Sequence, residues 1–464
     1  MIGMKRRIKW ILLMLIVLVS GILLVMAIGQ SAGGESESLT VIGSAVRSDT
    51  AFIITVLAVA VPILLLALLG VLLLVKPDRP VLSAHLDGVI GTVPTSAEAK
   101  DESERGERFC MLGEIERKKN SYMRASYDKN ITLEGLCNDL RNYAASRLRL
   151  YYDISDIRRF IAGMAVSRIL ILQGMSGTGK TSLAHAFGSF VDNGSTIIPV
   201  QPMWKERTDL VGYYNEFTKK FNETLLLEKM YEANYSEDMY VTVLDEMNIA
   251  RVEYYFAEFL SLLELPNPDE RYLDVVSDKW ETDPKQLKDG RIKLPENMWF
   301  IGTANNDDST FAISDKVYDR AMILNLDNKS ERFIAPKTDK VHISAKQFEA
   351  LVREATEEYD ISARNRKRLE ELDKYLIDHF HITFGNRIMK QIGIYIPVYI
   401  SCGGDELDAL DDILSKKVIR KLEAQNPIYL RNSAEGLVSY LNELFGQDRM
   451  TLCKEHIRRL ERNA

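Results

Sequence analysis

The stretch Ile169–Gly188, ILILQGMSGTGKTSLAHAFG, constrains the fold of this 464-residue chain more than any other. A buried-strand run, ILILQ, ends at Gly174; after Met175, Ser176, Gly177 and Thr178 come Gly179, Lys180, Thr181 and Ser182, where a helical pattern begins. A strand that turns through glycines into a helix lets successive backbone N–H groups converge, and the positive end of the helix faces the same point. Residues 174–182 are therefore expected to cradle the phosphates of a nucleotide, with Lys180 on the outer phosphates and the Thr181 hydroxyl on a magnesium ion. Such a turn belongs in an α/β domain whose parallel sheet is flanked by helices.

About sixty residues on, MYVTVLDEMNIAR supplies a second buried strand ending in Asp245 and Glu246. Successive strand residues point to opposite faces, so adjacent carboxylates can divide the work. Asp245 is expected to serve the magnesium shell, and Glu246 to polarise a water for hydrolysis. A third strand, NMWFIGTAN, ends at Asn305, whose amide is placed to orient that water. Arg320 follows at the far end of a short helix, a position suited to a neighbouring subunit's nucleotide rather than its own.

In this order and spacing the motifs resemble those of an AAA+ ATPase. LDEMNIARVEYYFAEFLSLLE and GTANNDDSTFAISDKVYDRA resemble the dynein-related branch, closest to the McrB-like motor subunits of methylcytosine restriction systems. The resemblance runs from about Ile154 to near the C-terminus. It implies that Lys180 and Thr181 are the Walker A pair, Asp245 and Glu246 the Walker B pair, Asn305 the first sensor and Arg320 an arginine finger. It also implies that Arg387, in FGNRIMKQI, is a second sensor on an all-helical lid. ATP and Mg2+ as cofactors, with the metal at Thr181 and Asp245, and a homo-oligomeric ring, expected to be hexameric, follow from the same resemblance. McrB-like proteins read Met-Asn-x-x-Asp-Arg where this chain has Ala304, Asn305, Asn306, Asp307, Asp308 and Ser309. The missing arginine argues for ATP rather than GTP.

The N-terminus adds a membrane. Residues 10–29 and 51–75 are apolar runs long enough to cross a hydrocarbon core, which takes about 20 helical residues. Lys5, Arg6, Arg7 and Lys9 precede the first and Lys76 and Arg79 follow the second, whereas the connecting loop holds only Arg47 among basic residues. That asymmetry predicts a two-span anchor in the cell membrane, residues 1–75, with both ends in the cytoplasm. Cleavage of the first run as a signal peptide, the alternative, would leave everything after Lys76 inside as well. Residues 76–108 are polar and proline-bearing and read as a cytoplasmic linker; 109–153 read as a helical lead-in, 154–335 as the nucleotide-binding core, and 336–464 as the lid and C-terminal helices.

A net charge of −7 gives no sign of nucleic-acid coating. Cys110, Cys137, Cys402 and Cys453 lack any CxxC spacing and read as buried thiols, and His379–His381 read as packing rather than a metal site. Trp204 and Lys205 can grip a polymer, but a lone loop aromatic more often packs on its own subunit. VEYYFAEFLSLLE reads as one buried core helix, and the long segment from Leu265 to Trp299 as a β-hairpin insert. The expectation is a membrane-tethered, ring-forming ATPase that hydrolyses ATP at subunit interfaces to drive an unidentified partner protein. Two alternatives stand beside it: a restriction or defence motor acting with a separate nuclease, with GTP as its fuel, and a scaffold whose assembly follows nucleotide state.

Overall fold

The structure, a computed structural model, describes residues 106–305, 310–327 and 330–463. They belong to one unit, Thr95–Ala464. Both apolar runs of the N-terminus, and most of the linker, lie outside the described residues.

In chain order, α1 (Met111–Arg117), α2 (Leu133–Leu148) and α3 (Ile154–Val166) lead to β1 (Ile169–Gln173), α4 (Lys180–Phe190) and β2 (Thr196–Pro199). Then come α5 (Arg207–Val211), the hairpin β3 (Gly212–Asn215) and β4 (Lys220–Glu223), α6 (Leu225–Ala233) and β5 (Tyr240–Asp245). α7 (Val252–Tyr255) and α8 (Ala257–Leu262) precede an insert of β6 (Tyr272–Asp274), β7 (Leu287–Lys288) and β8 (Arg291–Lys293). β9 (Met298–Ala304), α9 (Asp315–Tyr318) and β10 (Met322–Asn325) complete the α/β part. The rest is helical: α10 (Ala345–Glu358), α11 (Ala363–Phe380), α12 (Gly385–Ser401), α13 (Glu406–Lys417), α14 (Pro427–Phe445) and α15 (Thr451–Asn463).

The main sheet is parallel, in the order β10-β1-β9-β5-β2. Every residue of β9 is buried, as a strand covered on both faces requires. One face packs against α2, α3, α4 and the C-terminal helices; the other packs against α6 to α8 and the insert. All five strands point the same way, so their C-terminal ends share one edge. That edge is where open α/β sheets collect ligand-binding loops.

Local signals explain several boundaries. Thr132, Thr224 and Ser344 accept backbone N–H bonds at the starts of α2, α6 and α10, and Gln347 completes a capping box with Ser344. The expected single helix over 252–264 is divided: Phe256, at φ −109°, separates α7 from α8, and its ring stacks on Phe259 at 4.8 Å. The insert is a three-stranded antiparallel sheet, β6-β8-β7, so the expected hairpin gains one strand.

Two sequence expectations need correction. Arg108, assigned to the linker, is a buried residue of the folded unit: its guanidinium pairs with Asp278 at 2.9 Å and Asp283 at 2.6 Å, and lies 4.4 Å from the Trp280 ring centroid. Cys110 is exposed, unlike the other three cysteines, because it lies at the solvent end of α1.

The helical domain joins the α/β part through buried charge. Asp412 on α13 meets Arg159 of α3 at 3.0 Å and Lys416 at 2.5 Å, and accepts the Tyr395 hydroxyl at 2.6 Å. Losing one partner would strand the others in a low dielectric, so the joint is specific in geometry.

Candidate active site

The cradle forms where β1 gives way to α4. Gly174, Gly177 and Gly179 have φ of 144°, 81° and 92°, values that side chains rarely tolerate. A Cβ on Gly174 would lie 2.4 Å from the Leu326 carbonyl oxygen, so glycine there also permits the loop to sit against the end of β10. Lys180 is 7% exposed, and its Nζ donates to the carbonyls of Gly174 and Met175, both at 2.8 Å. The ammonium thus lies inside the loop. Tyr152 closes the other side, its hydroxyl donating to the Gly179 carbonyl at 3.0 Å.

Beside the cradle, the start of α4 is tied to the ends of two strands, β5 and β9. The Thr181 hydroxyl donates to Asp245 Oδ1 at 2.7 Å, and the Thr303 hydroxyl donates to the same oxygen at 2.8 Å. The Thr303 oxygen in turn accepts the Glu246 N–H at 2.8 Å. Glu246 has left-handed backbone, φ 53°, a conformation costing about 1 kcal/mol or more in a non-glycine residue. The turn is possible because Met247 tucks against Gly302, where a Cβ would fall 1.9 Å from the Met247 sulfur. It leaves the Glu246 carboxylate exposed at the sheet edge, with Asn305 Nδ2 donating to its Oε1 at 3.4 Å. Asn248 holds the same loop, donating to the carbonyls of Asn305 at 2.9 Å and Phe311 at 3.2 Å.

The two arginines lie elsewhere. β10 runs parallel to β1 with Met322 opposite Leu170, so Arg320 sits level with Arg168, before the first residue of β1. The cradle follows the last. Five strand residues separate the two ends, about 16 Å at 3.3 Å per residue, farther than an arginine side chain extends. Arg387, expected at the nucleotide as a second sensor, is brought instead to Arg320: both pair with Glu264, Arg320 at 2.6 Å and Arg387 at 2.5 Å. The reason is the course of the helical domain: α12, which begins at Gly385, packs on α3, whose C-terminal end leads into the start of β1.

The structure thus brings together 174–182, Asp245, Glu246 and Asn305 at one edge of the sheet, and Arg320 with Arg387 at the other. The donor set at the first edge fits a magnesium nucleotide: hard oxygens from Thr181 and Asp245 side by side, with a lysine and convergent amides around a glycine-walled loop. Sequence reasoning missed Thr303, Asn248, Tyr152 and Glu264. Thr303 alone had a usable signal, as the polar residue in the last turn of pleat before Asn305. Trp204, for its part, packs edge-on to Tyr255 at 5.5 Å within its own chain.

Residues 169–321 match the family model described as AAA domain (dynein-related subfamily), so the chain carries such a domain. Residues 338–464, the helical part, match a domain of unknown function, DUF8727. Among solved structures, a candidate ATPase from Cytophaga hutchinsonii is similar at 13% identity and a TM-score of 0.44, over 74% of this chain and 98% of that one. A full-length MCM homolog from Methanopyrus kandleri is similar at 9% identity and a TM-score of 0.32, over 63% of this chain and 56% of that one. No curated protein matches the chain.

Proposed function

We propose that the protein is a membrane-tethered ATPase that hydrolyses ATP between adjacent copies of itself and uses the cycle to drive a partner protein. The observation that carries this reading is the separation of two half-sites. Cradle, Asp245, Glu246 and Asn305 stand at one edge of the sheet, and the arginines able to complete them stand at the other.

In this reading the amides of 174–182 and Lys180 bind the phosphates, and Thr181 and Asp245 would hold the metal. Magnesium, when bound, offsets charge on the outer phosphates. Glu246 takes the proton of the attacking water, and Asn305, already against that carboxylate, keeps it aimed. Arg320 of the next copy supplies positive charge where it develops on the transferring phosphoryl group. Two apolar runs with basic flanks support the tether. The acidic total, −7, favours a protein partner over nucleic acid.

The test is turnover against protein concentration with the purified full-length chain. Activity per subunit should rise steeply with concentration and then level off. Constant activity per subunit down to dilutions at which the chain is monomeric would contradict the proposal.

A further inference from the structure

One carboxylate joins the two arginines that sequence had assigned to separate tasks. Glu264 Oε2 lies 2.6 Å from Arg320 Nη2, and its Oε1 lies 2.5 Å from Arg387 Nη2. The three groups come from distant parts of the chain. Glu264 lies in the turn just beyond α8; Arg320 precedes β10; Arg387 is in the first turn of α12, in the helical domain.

Together they line a cavity of about 840 Å³ at the edge of the sheet away from the cradle. Of the other cations on that cavity, Arg168 is engaged with Glu349 and Arg271 with the Leu265 carbonyl, while Lys390 is exposed to solvent. Arg320 and Arg387 retain donors for a further acceptor. Arg387 is 51% exposed and bonds Glu264 through Nη2 alone; Arg320 is 23% exposed, with Nη1 donating to the Lys316 carbonyl at 2.9 Å and Nε buried, so its free donors are the outer N–H groups of Nη1 and Nη2.

Two guanidinium groups this close repel one another unless an anion lies between them. A carboxylate gripping one Nη of each sets their spacing and leaves the exposed N–H groups of the pair for a further acceptor. Donors fixed in advance need no rearrangement when a phosphate arrives, which is where electrostatic catalysis gains most. We infer that Glu264 is the positioning residue of the inter-subunit site, holding Arg320 and Arg387 as a pair offered to the nucleotide phosphates of a second copy. The inference rests on the proposed role of Arg320. It adds that the pair, rather than one arginine, is the unit presented, and that its alignment is set by the turn that ends α8.

The test is complementation between full-length variants. Glu264→Gln keeps the size and an acceptor oxygen but removes the charge. It should lower turnover at saturating ATP by roughly tenfold or more, while the KM for ATP and the binding of a fluorescent ATP analogue stay within about twofold of native, because its own cradle is untouched. Mixed with Glu246→Gln it should regain activity, since Glu246→Gln subunits offer intact arginines to intact cradles. Mixed with Arg320→Ala it should stay inactive, because both lack the same half-site. Glu264→Asp, whose shorter arm cannot reach both arginines, should behave as Glu264→Gln does. Native or raised turnover in Glu264→Gln would overturn the assignment. So would loss of analogue binding in both variants, which would mark Glu264 as structural. If Arg320→Ala and Glu246→Gln complement each other but Glu264→Gln and Glu246→Gln do not, this inference alone fails; if neither pair does, the inter-subunit reading fails with it.

Discussion

The Thr181 hydroxyl donates to Asp245 Oδ1 at 2.7 Å, joining the first turn of α4 to the last residue of β5. The two residues expected to hold one metal ion are thereby in contact across 64 positions of sequence. Thr181→Ala removes one oxygen ligand and leaves the cradle. It should raise the magnesium concentration for half-maximal turnover by at least about tenfold, equivalent to about 1.4 kcal/mol. A magnesium titration of ATPase activity checks this, and an unchanged midpoint would remove Thr181 from the metal.

Lys180 and Glu246 should fail in different ways. Lys180→Ala takes away a phosphate contact and should abolish binding of a fluorescent ATP analogue. Glu246→Gln should bind it normally and lose turnover by about 10² or more, because only the water's base is gone. Normal turnover in Glu246→Gln would mean that another group is the base.

Lys417 holds the element that carries Arg320. Its buried ammonium on α13 donates to the carbonyls of Tyr318 at 2.7 Å and Ala321 at 2.5 Å, on either side of the arginine. Lys417→Met leaves those carbonyls without their buried partner, at about 1–3 kcal/mol each, and should lower both stability and turnover. Burial pushes the Lys417 amine down to about 7 from its usual 10.5. Between those values the unfolded chain binds more protons than the folded one, so this residue's contribution to stability grows as pH rises from about 7. Melting temperatures of the native chain and Lys417→Met, compared from pH 7 to pH 10, should therefore diverge upward for the native protein. A constant gap would show that Lys417 does not titrate in this range.

How much of this was legible in the sequence depends on how local each feature is. The cradle and the Asp245–Glu246 pair lie in unbroken strand–turn patterns, where spacing alone fixes geometry, and the structure places them as spacing implies. The C-terminal helices from Ala345 onward also declare themselves through period and caps, Ser344 with Gln347 among them. α15 does not, because its buried Cys453 and Ile457 stand among charged residues and mark only a narrow apolar stripe. The meeting of Arg320, Arg387 and Glu264 has no local signature at all. It exists because α12 packs on α3, and residues 56 to 123 positions apart arrive at one cavity. The break at Phe256 was likewise invisible, since every residue of that run suits a buried helix.

The central claim is that one catalytic site is assembled from two copies of the chain, and mixing two dead variants tests it most directly. Arg320→Ala should lose roughly 10³ or more in turnover while still binding nucleotide, as arginine fingers do, and Glu246→Gln should be inactive for its own reason. Combined as full-length proteins, they should recover a fraction of native ATPase activity, because some interfaces then join an intact Glu246 to an intact Arg320. A mixture that stays inactive, although the two variants demonstrably co-assemble, would contradict the claim and confine Arg320 to a structural role.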